Sequence, residues 1–366
     1  MGIYLFVCGI IYLKANRTVG ILGIFTLFYT VFMFTPDSYT FMLIGIFYLV
    51  LYGAVVIFYK EFAKNNRNWI LNSLCIFSLI NVLWMVFQYF GIYFVFYPRA
   101  GWDALETGWF SNRNEVSIYL ALSIPLFFRK GWAWFIVLVL FGLLIAQCTN
   151  GFMVAVIVSG IYSAYRLCEK YPSKKAIVVV VALIAVVASV SGFMRFVHKG
   201  AYAERLAAFT AALELIKEKP LLGWGIGQSC YVIPLFLNGE KQTPELRKRT
   251  FRSIYYANDF VNVYNEKHRS SPLLNQFWRQ LHNDYEQFAV DTGIVGLFLL
   301  LMVILAHIIS FSRTKNRDVL IGLSALAILI SANAFFTFQI GCFLMILVIF
   351  MGMIQGEYVS QRSAHR

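Results

Sequence analysis

Residues 289–311, AVDTGIVGLFLLLMVILAHIISF, form an almost uninterrupted apolar run. A helix needs roughly 20 apolar residues to cross a bilayer core of about 30 Å, and this run is long enough. Similar runs recur along the chain, which is 60% hydrophobic and only 13% charged over 366 residues. Because a single soluble core cannot bury so much apolar surface, the composition predicts a polytopic α-helical membrane protein.

The expected fold class is all-α, a transmembrane helical bundle of about eleven spans with one long external segment. The predicted spans are 1–13, 18–34, 40–59, 69–93, 114–128, 131–148, 151–166, 176–194, 289–311, 318–334 and 337–355. The chain therefore divides into an N-terminal bundle (1–194), the external segment (195–288), and C-terminal spans with a tail (289–366).

The basic residues of the short loops predict the orientation. One set of alternate loops is basic, and the C-terminal tail shares this character: Lys14, Arg17, Lys60, Lys64, Arg67, Arg129, Lys130, Arg166, Lys170, Lys174, Lys175, Arg313, Lys315, Arg317, Arg362 and Arg366. The other set holds only Arg99 and Arg113. The positive-inside rule then places the C-terminus in the cytoplasm and the external segment on the far side of the membrane.

The net charge of +13 does not indicate nucleic acid, because topology accounts for about half of the basic residues. Membrane lipids or phosphate-bearing ligands are the expected partners at the outer face. The six cysteines are scattered, with no disulfide framework and no CxxC pattern. The sequence predicts neither a metal nor a cofactor, since HNDYE at 282–286 lacks a second histidine at ligand spacing.

Two helices are predicted in the external segment, and both are amphipathic. Residues 202–218 repeat apolar side chains at helical spacing, and Pro220 with the glycines that follow ends this helix. Such a helix is expected to lie on the membrane surface. Residues 273–290 form the second helix, in which Arg279, His282 and Glu286 would share one polar face.

His282 is the candidate general base. A neutral imidazole can take a proton from a hydroxyl group, and Glu286, one turn further along, could orient it. The alternative is a surface histidine without a role. The segment from Arg195 to Asp284 carries 13 of the 31 Lys and Arg residues and three of the five histidines, which suits a site that grips phosphates and moves a proton.

Four arginines are candidate donors to a diphosphate, because a guanidinium group forms forked hydrogen bonds with phosphate oxygens. They are Arg205, Arg279, Arg113 and Arg252. The alternative for each is an interfacial arginine that only snorkels to the headgroups. The glycines Gly223, Gly225 and Gly227 follow a helix rather than a strand, so they predict a tight turn and not a dinucleotide loop.

Three local patterns together resemble the O-antigen ligase and O-antigen polymerase superfamily of bacterial membrane glycosyltransferases. FSNRNEVSIYLALSIPLFF (110–128) is an Asn-bearing start of a span that ends in proline. RLAAFTAALELIKEKPLLGWGIG (205–227) is an Arg-started helix followed by a Pro-x-x-Gly-x-Gly turn. HNDYEQFAVDTGIVGLFLLL (282–301) is a His-Asn pair that leads through a Gly-x-x-Gly turn into the next span. With the hydropathy layout, the likeness covers about residues 70–355.

The resemblance implies a metal-independent C-type glycosyltransferase of the bacterial inner membrane, with the external segment in the periplasm. Its donor would be a glycan on undecaprenyl diphosphate, and its acceptor a sugar hydroxyl on lipid A-core or on a growing lipid-linked glycan. The family roles fall on His282 as base, on Arg205 as diphosphate ligand and, through a weaker alignment, on Arg113. Many relatives have Ser-Arg-Gly where this chain has Thr149, Asn150 and Gly151, so Arg252 or Arg279 would replace the missing arginine.

Ligase and polymerase activities share these patterns, and the single compact external segment slightly favours a ligase. A transporter of lipid or polysaccharide is the alternative from another class. The predicted spans contain no Asp, Glu, Lys or Arg near their middle, which disfavours ion-coupled transport.

Overall fold

The computed structural model describes residues 50–58, 65–92, 107–110, 112–174, 199–225, 229, 283–315, 317–333 and 341–364. Every regular element in these ranges is helical, and no strand occurs among them. The predicted all-α class is therefore confirmed for the described part of the chain.

Eight α-helices are defined in these ranges, besides helical residues 50–57. They are α1 (Asn65–Tyr89), α2 (Arg113–Phe127), α3 (Ile136–Ala146), α4 (Thr149–Lys170), α5 (Lys199–Glu218), α6 (Asp284–Arg313), α7 (Val319–Ser331) and α8 (Gly341–Ala364). Short 3₁₀ turns, Ala133–Phe135 and Pro172–Lys174, precede α3 and follow α4.

Four of these helices are long and apolar enough to cross a membrane: α1, α4, α6 and the segment Cys342–Ser363 of α8. Two shorter apolar helices, Ala133–Ala146 and Val319–Ser331, accompany them. The chain is thus a multi-pass membrane protein. The predicted spans 1–13, 18–34 and 176–194 lie outside the described residues, so the total of about eleven remains a prediction.

The backbone forms two compact units. The first comprises Met1–Gly53 and His198–Ser310, and the second comprises Ala54–Val197 and Phe311–Arg366. The first unit holds α5 and most of α6, and the second holds the other six helices.

Helix α2 is the centre of the second unit, where it contacts α1, α3, α4 and α7. All its residues from Val116 to Phe127 are buried, as expected of a helix that is apolar on every side. Gly151 of α4 lies so close to Ser117 that even a Cβ atom would overlap it. Small residues allow such close backbone approach between membrane helices.

The turn 107–110 lies against α1 and precedes α2. The side-chain oxygen of Gln88 accepts a hydrogen bond from the backbone amide of Gly108 at 2.9 Å, and that of Asn81 accepts one from Trp109 at 3.1 Å. Asn81 and Gln88 are both buried. Irregular backbone within a membrane protein is stable where side chains form hydrogen bonds with its amides, as Asn81 and Gln88 do here. The turn 107–110 therefore adds length to the membrane crossing made by α2, which alone has only 15 residues.

Asp318 fixes the start of α7 at the other end of the same unit. Its carboxylate accepts hydrogen bonds from the amides of Leu320 and Ile321 at 3.1 and 3.4 Å, and it also pairs with Arg67 of α1. An acidic N-cap satisfies free amides of the first helical turn, and the arginine compensates its charge.

Candidate active site

Helix α5 confirms the first predicted external helix, since residues 202–218 fall inside Lys199–Glu218. Arg205 is a residue of its second turn. The helix packs through a face that the apolar periodicity did not indicate. The buried cluster on this face consists of Ala211, Ala212 and Leu215 of α5 with Val290 of α6, joined by Ile216 and Trp224. Small alanines bring the α5 backbone close to α6.

Helix α6 is kinked at Gly293, which has φ 69° and ψ −174°. In a regular helix, the amides of Ile294 and Val295 would donate to the carbonyls of Val290 and Asp291, four residues earlier. The kink removes both of these hydrogen bonds. Two amides and two carbonyls near the start of a membrane span are then left to find other partners.

The turn 220–225, which follows α5, supplies all four partners. The replacement bonds run from Ile294 N to Pro220 O (2.8 Å), from Val295 N to Leu221 O (3.4 Å), from Trp224 N to Val290 O (2.9 Å) and from Gly225 N to Asp291 O (2.8 Å). We call this arrangement the interlock. It joins the Pro-x-x-Gly-x-Gly turn of one sequence pattern to the Gly-x-x-Gly turn of another.

Two glycines allow the interlock to form. A Cβ atom on Gly223 would lie 2.5 Å from the backbone nitrogen of Gly293, and a Cβ atom on Gly293 would overlap the carbonyl of Leu221. Both residues also have positive φ angles, 68° and 69°, which side chains disfavour. Close approach and backbone conformation therefore both require glycine at these positions.

The buried carboxylate of Asp291 extends the interlock, accepting a hydrogen bond from the backbone amide of Ser229 at 2.7 Å. On the other side, the indole Nε1 of Trp224 donates to the carbonyl of Leu215 at 3.0 Å, which also accepts from the amide of Lys219 at 3.3 Å near the end of α5. Sequence reasoning missed Asp291, although a carboxylate inside an apolar run is itself a signal.

The prediction of one continuous helix over 273–290 is wrong at Asn283, which is not helical. Its Oδ1 accepts hydrogen bonds from the amides of Tyr285 and Glu286 at 3.0 and 3.2 Å, so it caps α6, which begins at Asp284. Asparagine is among the strongest N-cap residues because its side chain replaces a missing helical carbonyl. His282 comes directly before this cap in the sequence and lies outside the described residues, so its predicted position on one face with Glu286 stays a prediction.

Glu286 is half-buried, and its Oε1 accepts a hydrogen bond from the Asn283 Nδ2 at 2.8 Å. It lies in the first turn of α6. Its carboxylate is thus fixed beside Asn283, the residue that follows His282 in the sequence.

Helix α2 starts with the same arrangement. The Oδ1 of Asn112 accepts from the amide of Glu115 at 3.1 Å, and its Nδ2 donates to the Glu115 Oε1 at 2.9 Å. Arg113, the first residue of α2, is partly buried, and its Nε has no hydrogen-bond partner among the described residues. Within the part of the chain that the structure describes, this donor at a helix N-terminus is therefore open to a ligand.

The start of α4 lies beside the start of α2. The Cys148 thiol donates a hydrogen bond to the Asn114 Oδ1 at 2.8 Å, and Gly151 packs on Ser117. Asn150 has a buried Nδ2 without a partner within the described ranges. Two helix N-termini thus meet here, and such termini attract anions.

The structure accounts for part of the predicted site. Arg205 and Glu286 are in the first unit and Arg113 is in the second, whereas His282, Arg279 and Arg252 lie outside the described residues. Within the described ranges, no group of three or more His, Cys, Asp or Glu side chains could hold a metal ion.

The fold and these helix starts define a multi-pass helical membrane protein in which two sequence patterns meet in one interlock. Residues 134–301 match the sequence profile of the O-antigen ligase family. This match supports the superfamily that the sequence patterns indicate, and it points to a membrane enzyme of the glycosyltransferase type. A comparison with curated proteins finds no match.

The matched range runs from before α3 into the middle of α6. It includes Arg205, the interlock, His282 and Glu286, and it excludes Arg113. The second and third sequence patterns therefore lie within the match, and the whole of the first lies before it.

Proposed function

We propose that the chain is an inner-membrane glycosyltransferase that moves a glycan from undecaprenyl diphosphate to a sugar hydroxyl of a lipid-linked acceptor, in the manner of an O-antigen ligase. The observation that carries this proposal is the interlock. It ties α5, which bears Arg205, to the start of α6, directly after His282, so the two residues with family roles belong to elements of one compact unit.

In the proposed reaction, the acceptor hydroxyl oxygen attacks the anomeric carbon of the donor sugar and its proton passes to His282. The bond between the anomeric carbon and the diphosphate oxygen breaks, and undecaprenyl diphosphate leaves. Its negative charge is stabilised by Arg205, with Arg279 or Arg252 as further ligands. Diphosphate is already a good leaving group, so charge stabilisation supplies most of the help and proton removal adds typically about 10²–10⁴-fold.

Glu286 is proposed to hold the cap residue Asn283, whereas in a continuous helix it would orient the His282 side chain directly. Its carboxylate holds the side-chain amide of Asn283, whose carbonyl oxygen caps α6. Glu286 therefore acts as a positioning residue that fixes the backbone next to His282. Arg113 is a further candidate ligand, because its Nε is unpaired among the described residues and it is the first residue of α2, whose start contacts that of α4.

The test compares surface glycan in cells that express His282→Ala or Arg205→Ala at normal levels. We expect both variants to lose the transferred glycan, because the base and the main diphosphate ligand are removed. Lys217→Ala, on the exposed face of α5, is the matched control and should retain it. Unchanged glycan in the first two variants would refute the enzyme and favour a transporter, which tolerates these changes.

Two further measurements refine the proposal. Purified protein given a lipid-linked donor and lipid A-core should form one transferred product if it is a ligase. A ladder formed from the lipid-linked repeat alone would instead identify a polymerase. Activity that persists in a strong chelator of divalent cations would support the proposed metal independence, and its loss would contradict it.

A further inference from the structure

Helix α5 and the turn after it form an exposed apolar edge. On the side away from the buried cluster, Phe209 and Leu213 are 40% and 41% exposed. In the turn, Leu221 and Leu222 are 66% and 57% exposed. Four large apolar side chains are thus exposed within the short stretch 209–222. Exposing such a cluster to water is unfavourable.

This edge is continuous with the lipid-facing surface of α6. The carbonyls of Pro220 and Leu221 accept hydrogen bonds from the amides of Ile294 and Val295, which fixes the turn beside the first residues after the kink. The side chains of Ile294, Val295 and Phe298 are exposed as well, and they belong to a helix long and apolar enough to span the membrane. Exposed apolar side chains of a span contact hydrocarbon, so the two leucines lie at the margin of a lipid contact.

Charged groups flank this edge in the way that a membrane interface favours. Lys217 pairs with Glu214 on the exposed face of α5, and the Nζ of Lys219 lies 3.9 Å from the centre of the Trp224 ring. Lysines that keep their ammonium groups in water above apolar side chains are typical of interfacial helices.

We propose that Phe209, Leu213, Leu221 and Leu222 are seated in the acyl chains of the membrane leaflet on the side of the external segment. The occupant of this edge is phospholipid hydrocarbon, and the interlock sets the depth of the turn relative to α6. One consequence rests on the proposed function. The helix that carries Arg205 then lies at the level of the headgroups, where a lipid-linked donor presents its diphosphate.

The depth can be measured without any activity. A genetically encoded fluorescent amino acid is placed at position 222, or at position 217 as control, in the full chain reconstituted in vesicles of phosphatidylethanolamine and phosphatidylglycerol. We expect brominated phospholipid to quench the probe at 222 and aqueous iodide to quench the probe at 217. Equal quenching of both probes by iodide would overturn the proposal.

A functional arm uses Leu222→Asp, with Leu222→Met as the conservative partner. A charge in the hydrocarbon is expected to raise the KM for the full-length polyprenyl donor about tenfold with little change in kcat, while Leu222→Met stays near the parent. Unchanged KM in Leu222→Asp contradicts the proposal. If Leu222→Asp does not fold, the quenching experiment decides alone. Loss of the proposed transferase function would leave the quenching result standing, so the two failures are distinguishable.

Discussion

Helices α2 and α6 start with the same pair of side chains but are supported in different ways. Asn112 with Glu115 and Asn283 with Glu286 form matching caps. Beyond its cap, α2 is buried on every side, whereas α6 kinks at Gly293 and exposes Ile294 and other apolar residues. The start of α2 is thus held by a surrounding bundle, and the start of α6 depends on one backbone turn.

The contacts around α2 mainly stabilise the helical bundle, whereas the contacts at the start of α6 position the candidate site. In the second unit, stability is spread over many contacts around α2. In the first unit, four replacement hydrogen bonds and two glycines join α5, which carries Arg205, to the start of α6, which follows the catalytic candidate His282. Changes at α6 should therefore affect activity more than equivalent changes at α2.

The largest effect is expected from Gly293→Ala. Its methyl group would overlap the Leu221 carbonyl, and its φ of 69° disfavours any side chain, so we expect a loss of about 3–4 kcal/mol and of glycan transfer. Thermal unfolding in detergent measures this loss. Gly91→Ala is the control, because its φ is also positive but nothing lies near its Cβ. That variant should lose only about 1–2 kcal/mol. Equal losses in both variants would show that crowding in the interlock is not important.

A smaller effect is expected from removing the two caps. Asn283→Ala and Asn112→Ala should each lose about 1 kcal/mol of stability, since each removes an N-cap of the same kind. Transfer activity should fall much further in Asn283→Ala, because this residue fixes the backbone beside His282. Parallel measurements of melting temperature and kcat test the comparison, which fails if both variants lose activity equally.

The smallest effect is expected from Glu286→Gln. The new side chain keeps an oxygen that can accept the hydrogen bond from the Asn283 Nδ2, so the cap of α6 should persist and stability should fall by about 1 kcal/mol or less. Melting curves of the parent and the variant provide the test. A loss larger than that of Asn283→Ala would contradict this expectation.

Much of the local structure could be predicted from the sequence. Helix α5 was predictable because its apolar residues recur at helical spacing and Pro220 follows it. The break at Asn283 was harder to see, since the apolar pattern of 273–290 continues through it. The repeated Asn-x-x-Glu pattern at 112–115 and 283–286 was the available signal, because it resembles a capping box.

The interlock could not be predicted from local patterns. Its two halves are about 70 residues apart, and the bonds between them are made by backbone atoms, which leave no periodicity in the sequence. Only the glycines at 223 and 293 and the acid at 291 mark the place. Likewise, the alanine face of α5 was missed because small residues signal close packing more weakly than large apolar ones.

The hydrogen bond from Ser229 to Asp291 has a consequence for how this protein can diversify. The chain leaves the interlock just before Ser229 and comes back to it through Asn283, so departure and return are tied to the same short piece of backbone. The two ends of the stretch 230–282 are therefore both anchored on the first turns of α6, one at Asp291 and the other at the cap residue Asn283. An insertion in the middle of that stretch, away from His282, would leave both anchors and the membrane helices unaltered.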